Sequence, residues 1–129
     1  PVYEAIRNSD RLVLASPIYF FSLSAQAKVL IDRCQAFWSE KYLLKRPIPP
    51  GPAGRRGLLL LVGAYRKAAE AVHCAEVCAG AFFRSVSVPD FETVSVLGPD
   101  AAGEIDAFPE GLEKARDAGF RLARTQERS

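Results

Sequence analysis

The chain has 129 residues, 49% of them hydrophobic, and a formal net charge of +2 with acids and bases interspersed. That length suits one domain with a real core, and the composition is neither disordered nor fibrous. The balanced charge gives no electrostatic case for nucleic acid or an anionic membrane, and the longest apolar run, Leu58 to Val62, falls far short of the roughly 20 residues of a membrane span.

Val2 to Arg7 has a short helical pattern with Val2 and Ile6 inward and Tyr3 a further candidate; Asn8-Ser9-Asp10 breaks it. Arg11 to Ala15 (RLVLA) is nearly all apolar, the pattern of a strand covered on both faces in a parallel sheet. Ser16 to Ser24 (SPIYFFSLS) reads as a loop, because Pro17 blocks continuation of the strand ladder. Ser24 suits the N-cap of the next helix. From Ala25 to about Glu40, Ala27, Leu30, Ile31, Cys34, Phe37 and Trp38 recur at helical steps, which predicts one amphipathic helix. Lys45 to Arg56 holds four prolines and two glycines and is neither helix nor central strand.

Gly57 to Gly63 (GLLLLVG) predicts a second apolar strand, and Ala64 to Lys67 a loop. Ala68 to about Arg84 predicts a helix with Ala68, Val72, Ala75, Ala79, Phe82 and Phe83 inward. Val94 to Leu97 is the third strand, and Gly98 to Ala107 a turn-rich connection. The last helix runs from Pro109 to about Arg124, with Leu112, Ala115, Gly119 and Leu122 as its stripe and Pro109 in the first turn. The tail from Thr125 is polar and reads as frayed. A helix followed by three strand–helix units predicts an α/β fold, a parallel sheet with helices on both faces.

Ligands of open α/β sheets bind outside the carboxyl ends of the strands. Two loops leave such ends. In the first, Ser16 and Pro17 precede Ile18, Tyr19 and Phe20, then Ser22. Pro17 fixes its own φ, and the amides of Ile18, Tyr19 and Phe20 are expected to lack strand partners. Free amides beside aromatic surface suit a flat heterocycle with acceptors on its rim. The competing reading, equally weighted, is that the aromatics cap the core. In the second loop, Gly63 and Ala64 permit close approach of the backbone, Tyr65 can stack and Arg66 can pair with an anion. An ordinary turn with solvated Arg66 and Lys67 is the other reading.

Cys34, Cys74 and Cys78 read as three buried thiols of a reducing cytoplasm rather than a metal or redox site. Cys74 and Cys78 are not a CxxC pair, and His73 faces another side of the helix. There is no Gly-x-Ser-x-Gly elbow, and one histidine leaves little room for a catalytic triad. The Lys45 to Arg56 stretch reads as a solvated connector, with a lid or a nicotinamide-phosphate contact as the alternative.

The string Ser16-Pro17-Ile18-Tyr19-Phe20, then Ser24-Ala25-Gln26, Lys28, Ile31-Asp32-Arg33 and Phe37-Trp38, resembles the NADPH-dependent FMN reductase family. Its branch of iron–sulfur flavoproteins is the nearest in pattern. The Gly63-Ala64 turn is similar to the family's second flavin loop, and Gly103 through Ala115 to its closing helix.

The resemblance implies a flavodoxin-like parallel sheet of order 2-1-3-4-5, of which the three strands here would be the third, fourth and fifth. A sheet of this order takes its ligand at the point where the strand order reverses. The resemblance also implies FMN as cofactor and NAD(P)H as co-substrate. Ser16, Pro17, Ile18, Tyr19, Phe20 and Ser22 would wrap the isoalloxazine on one side, and Gly63, Ala64, Tyr65 and Arg66 would touch it from the other. No side chain is assigned as a catalytic acid or base. Lys28, Asp32 and Arg33 read as structural or subunit-contact groups. The electron acceptor would be a small molecule: a quinone, flavin, nitro or azo compound, or metal ion. The protein would be a homo-oligomer, with Phe37, Trp38 and Tyr42 as contact residues or, alternatively, core.

The family's Gly-Ser-Pro-Arg-type phosphate loop and its cysteine cluster have no counterpart in this sequence. Residues 1–129 are therefore expected to form a single, N-terminally incomplete domain that binds FMN weakly or not at all. Arg11 to Ala15 would become a bare apolar edge that pairs with another chain. Alternatives within the fold are a flavodoxin-type electron carrier, against which the +2 charge weighs, and a flavin-free structural or binding subunit. A receiver-type domain would want an Asp where the first strand ends in Ala15-Ser16-Pro17.

Overall fold

A computed structural model describes residues 1–124. Three parallel strands, β1 (Arg11–Pro17), β2 (Arg56–Gly63) and β3 (Asp90–Leu97), form one sheet in the order β1-β2-β3. Helices α1 (Val2–Asn8), α2 (Ala25–Arg33), α3 (Gln35–Tyr42), α4 (Ala69–Ser85) and α5 (Pro109–Ala123) surround it, with a 3₁₀ turn at Glu104–Ala107 before α5. The α/β class and the strand–helix alternation match the expectation. The polar tail from Thr125 lies outside the described residues.

Alternation along β2 divides the core in two. Leu59 and Leu61 join Leu12 and Leu14 of β1 in the larger layer, with Phe37 of α3 and Ala75, Ala79, Phe82 and Phe83 of α4. Leu58 and Leu60 face the other way and pack with Val94, Ala118 and Leu122 beneath α5. Both faces of β2 are thus buried, which is why its sequence is an unbroken apolar run.

Several boundaries differ from the sequence reading. Pro17 belongs to β1, paired in register with Val62. Ile18 N–H donates to Val62 O at 2.8 Å, and Arg56 N–H to Asp10 O at 2.9 Å. Even-numbered residues of β1 therefore aim their main chain at β2, and Pro17's donorless nitrogen faces the sheet edge, where nothing is lost. β3 starts at Asp90 rather than Val94, because Asp90 and Glu92 point out to solvent while Phe91 and Thr93 are half-buried.

The expected single helix from Ala25 to Glu40 is two helices meeting at Cys34. There the N–H reaches both Leu30 O and Ile31 O, a tightened turn that keeps Cys34 and Phe37 buried on one side. Ser24 caps α2 as expected, its hydroxyl accepting the Ala27 N–H at 3.3 Å.

Three inward assignments fail. Val2 and Leu112 are exposed, and Ala118 rather than Gly119 is the buried centre of α5. Ile6 alone anchors α1, helped by Tyr3, whose hydroxyl donates to Arg33 O and whose ring meets Phe37 edge-on. The three cysteines are not uniformly buried: Cys34 is buried, Cys78 half-buried and Cys74 exposed on α4. Burial pushes the Cys34 and Cys78 thiols up. The Pro-rich connector is not wholly solvated either, since Ile48 and Arg55 are buried. The outer edge of β1 has no strand partner among the described residues, and Val13 and Ala15 are exposed beside it. No helix among them is long and apolar enough to cross a membrane.

Candidate functional site

The sheet register brings the two candidate loops together. Pro17 pairs with Val62, so Ile18 stands beside Gly63, and a Cβ placed on Gly63 would lie 3.5 Å from Ile18. Above these strand ends opens a cleft of about 500 Å³. Pro17, Ile18 and Tyr19 form one wall, and Val62, Gly63 and Ala64 the floor and second wall.

A third wall, which the sequence reading passed over as a connection, runs from Pro99 to Gly103 with Ile105 behind it. It is held close by Gly98, whose N–H donates to Gly63 O at 2.7 Å. A Cβ at Gly98 would meet the Phe108 ring at 2.6 Å, so only glycine allows this approach. The Glu104 carboxylate then fastens the loop by accepting the Asp100 N–H at 2.8 Å and the Ala101 N–H at 3.2 Å. Those two amides hold the Glu104 carboxyl below its ordinary value. The signal for this wall was a Gly-Pro-Asp turn followed by an acidic residue, the composition of a capped loop.

The first loop is braced at both ends. The buried Ser16 hydroxyl donates to Pro17 O at 2.8 Å and accepts the Ser24 N–H at 2.9 Å. Tyr19 and Ser22 close the tip with reciprocal N–H to O bonds of 3.0 Å. Phe20 and Phe21 have φ of 45° and 63°, the sign pattern of a type I′ turn, at positions that usually carry Asn and Gly.

Two consequences correct the sequence reading. The amides of Ile18 and Tyr19 are not free, since they serve Val62 and Ser22; of the expected three, only that of Phe20 lacks a protein acceptor among the described residues. The aromatics do not cap the core, because Tyr19, Phe20 and Phe21 are exposed, Phe20 fully.

Ser16, Phe20, Ser22, Tyr65 and Arg66 therefore stand around the cleft without lining it. Tyr65 is exposed, and the exposed Arg66 guanidinium lies 5.6 Å from the centre of the Phe108 ring. Ala64 does line the cleft, and its amide has no protein acceptor among the described residues. The arrangement offers a slot with apolar sides, an unspent donor on its floor and no lysine, arginine or histidine among its lining residues. Such a slot suits a planar ring with acceptors on its rim. Among the described residues no group of three or more His, Cys, Asp or Glu is placed to hold a metal. Phe37 is core, while Trp38 and Tyr42, ring centres 5.3 Å apart, are partly exposed on α3.

The family model for NADPH-dependent FMN reductase matches residues 1–91, which contain both loops. An iron-sulfur flavoprotein of Archaeoglobus fulgidus is 32% identical over 65 residues, a stretch that covers 50% of this chain and 30% of that protein. Among solved structures, the NAD(P)H:quinone oxidoreductase of Methanothermobacter marburgensis aligns with a TM-score of 0.70 at 16% identity, over 99% of this chain and 63% of its own. The Trp repressor binding protein of Bacillus subtilis aligns with a TM-score of 0.65 at 23% identity, over 91% of this chain and 68% of its own. The match thus spans less than a third of the curated relative and about two thirds of these solved chains. At these identities the structural likeness establishes the fold.

Proposed function

Because the chain belongs to the NADPH-dependent FMN reductase family and shares the flavodoxin-like fold of its solved neighbours, we propose that the intact protein carries FMN and passes electrons from NAD(P)H to a small acceptor. A quinone, flavin, nitro or azo compound, or metal ion would serve. The observation that carries this reading is the register that sets Ile18 beside Gly63, so that two loops from adjacent parallel strands share one cleft.

The residues present fit the ring of FMN. The cleft is apolar on its sides, and the Ala64 amide is unspent. No basic side chain lines the cleft, so residues elsewhere would have to hold the phosphate. Bound FMN supplies the hydride and one-electron chemistry; the chain binds, orients and tunes it. Ile18 and Tyr19 exclude water from one side of the slot. The Ala64 N–H favours negative charge at an acceptor on the ring's rim. Ser16 keeps the first loop in place through its two hydrogen bonds. The Ile18 and Tyr19 amides take no part, since they are engaged within the protein. The protein would act in the cytoplasm as a homo-oligomer, with Trp38 and Tyr42 at a subunit contact.

Flavin absorbance of the purified full-length protein and a steady-state NAD(P)H oxidation assay test the reading. A yellow protein that oxidises NAD(P)H in the presence of a quinone is expected. A colourless protein that ignores added FMN would defeat it. Bound FMN without NAD(P)H oxidation would replace it with a one-electron carrier.

A further inference from the structure

Helix α4 carries two of the three cysteines, Cys74 and Cys78, one turn apart. Positions i and i+4 of an α-helix share a face, with Cβ atoms about 5–6 Å apart. Cys74 is exposed, while Cys78 is half-buried against the larger core layer, so the pair runs from solvent inward and has an entry path. Burial raises the Cys78 pKa, the Lys28 ammonium of α2 opposing it and the Asp32 carboxylate adding to it, so the inner end of the pair lies within electrostatic reach of α2. Cys34 is buried where α2 meets α3 and takes no part.

The gap between the two thiols decides what they can hold. A disulfide sets its Cβ atoms about 3.5–4.5 Å apart, so this pair does not close one while α4 stays helical. Two metal–sulfur bonds of about 2.3 Å in line hold the sulfurs about 4.6 Å apart, against about 2.05 Å in a disulfide, and span the wider gap. Structural zinc and iron–sulfur clusters take four ligands. Among the described residues no group of three or more His, Cys, Asp or Glu is placed to hold a metal, and His73, next in sequence to Cys74, faces another side of α4. A soft ion satisfied by two thiolates remains. We propose that Cys74 and Cys78 form a two-coordinate site for a soft monovalent cation of the Cu(I) class. Binding forms two sulfur–copper bonds and releases the two thiol protons. The site is separate from the strand-end cleft and does not rest on the flavin reading.

Anaerobic titration of the 129-residue chain with Cu(I) against a chromogenic Cu(I) chelator tests this. One equivalent per chain should be retained with no copper-dependent change in mass, and Zn(II) should not be retained through gel filtration. Cys74→Ser and Cys78→Ser should each weaken Cu(I) binding by about a hundredfold or more, the gain that a second linked ligand supplies, with the helical circular dichroism unchanged. Cys78→Ser combined with Glu76→Cys keeps the number of thiols but moves the second to another face of α4, and should bind as weakly as Cys78→Ser alone. Affinity unmoved by either serine variant would overturn the proposal, as would full affinity in the Glu76→Cys combination. Half an equivalent per chain, with the mass doubled by copper, would overturn it too, because Cys74 thiols of two chains would then be the ligands.

Discussion

Arg55 sits buried just before β2 and donates to four main-chain oxygens: Ser9 at 2.7 Å, Ile6 at 2.8 Å, Val86 at 3.0 Å and Arg7 at 3.3 Å. Burial lowers its pKa, with Asp10 acting weakly in the opposite direction. Three of these oxygens lie at the end of α1 and one at the end of α4, where carbonyls lack helical partners. Arg55→Met should cost about 3 kcal/mol in chemical denaturation, because the carbonyls would stay buried and unpaired. Arg55→Lys should recover little of it, since an ammonium cannot span four acceptors. A loss below about 1 kcal/mol would show that water replaces the guanidinium. Phe20 presents the opposite case, strain without burial. Phe20→Asn should stabilise the chain by about 1 kcal/mol, read as a higher denaturant midpoint at unchanged slope, because asparagine tolerates left-handed φ and no packing is lost. Neither feature could be read beforehand. An arginine among prolines and glycines looks solvated, and Phe-Phe is not the Asn-Gly pair that announces a type I′ turn.

Strands written as unbroken apolar runs announced themselves, and the one written as an alternation did so only in part. β1 and β2 were evident from RLVLA and GLLLLVG, whereas β3 was truncated because Asp90 and Glu92 alternate outward with Phe91 and Thr93. The break at Cys34 left no trace, since the apolar spacing continues through it. The cleft was half evident: its first two walls follow from strand ends, but the third depends on how Gly98 packs on Phe108, a contact set by tertiary structure. Glu92 has a further role, pairing with Arg121 to tie β3 to α5. The hydrogen bond from Arg121 holds the Glu92 carboxyl below its ordinary 4.5. Arg7 does the same to Glu40 between α1 and α3. A depressed folded pKa contributes stability above the unfolded value and loses it as pH falls through the folded one. Stability should therefore be flat with respect to these pairs above pH 4.5 and decline below it. Both pairs lie at the surface and are screened by solvent, so each should account for little. Arg121→Gln should flatten the decline in denaturant midpoint between about pH 5 and about pH 3. An unchanged slope would show that the Glu92 pair contributes nothing.

The sheet is finished on its β3 side by outward charges and left bare on its β1 side. Val13 is exposed there, and the main chain of every second β1 residue faces outward without a strand partner among the described residues. Such an edge recruits another strand unless a charge guards it. The 129-residue chain should self-associate as its concentration rises, and Val13→Lys should return it to monomer mass in sedimentation runs. A native chain that stays monomeric throughout would show the edge to be inert. At the opposite end from the cleft, three arginines lace the strand starts to the helices: Arg11 to Leu122 O and Gly54 O, Arg56 to Arg121 O, and Arg55 to its four carbonyls. The cleft end is tied differently, by main-chain bonds such as Gly98 to Gly63 and by the Ser16 hydroxyl and the Glu104 carboxylate. The two poles of the sheet are thereby secured by different chemistry: guanidinium groups spanning several carbonyls at the base, and peptide groups with one hydroxyl and one carboxylate at the mouth.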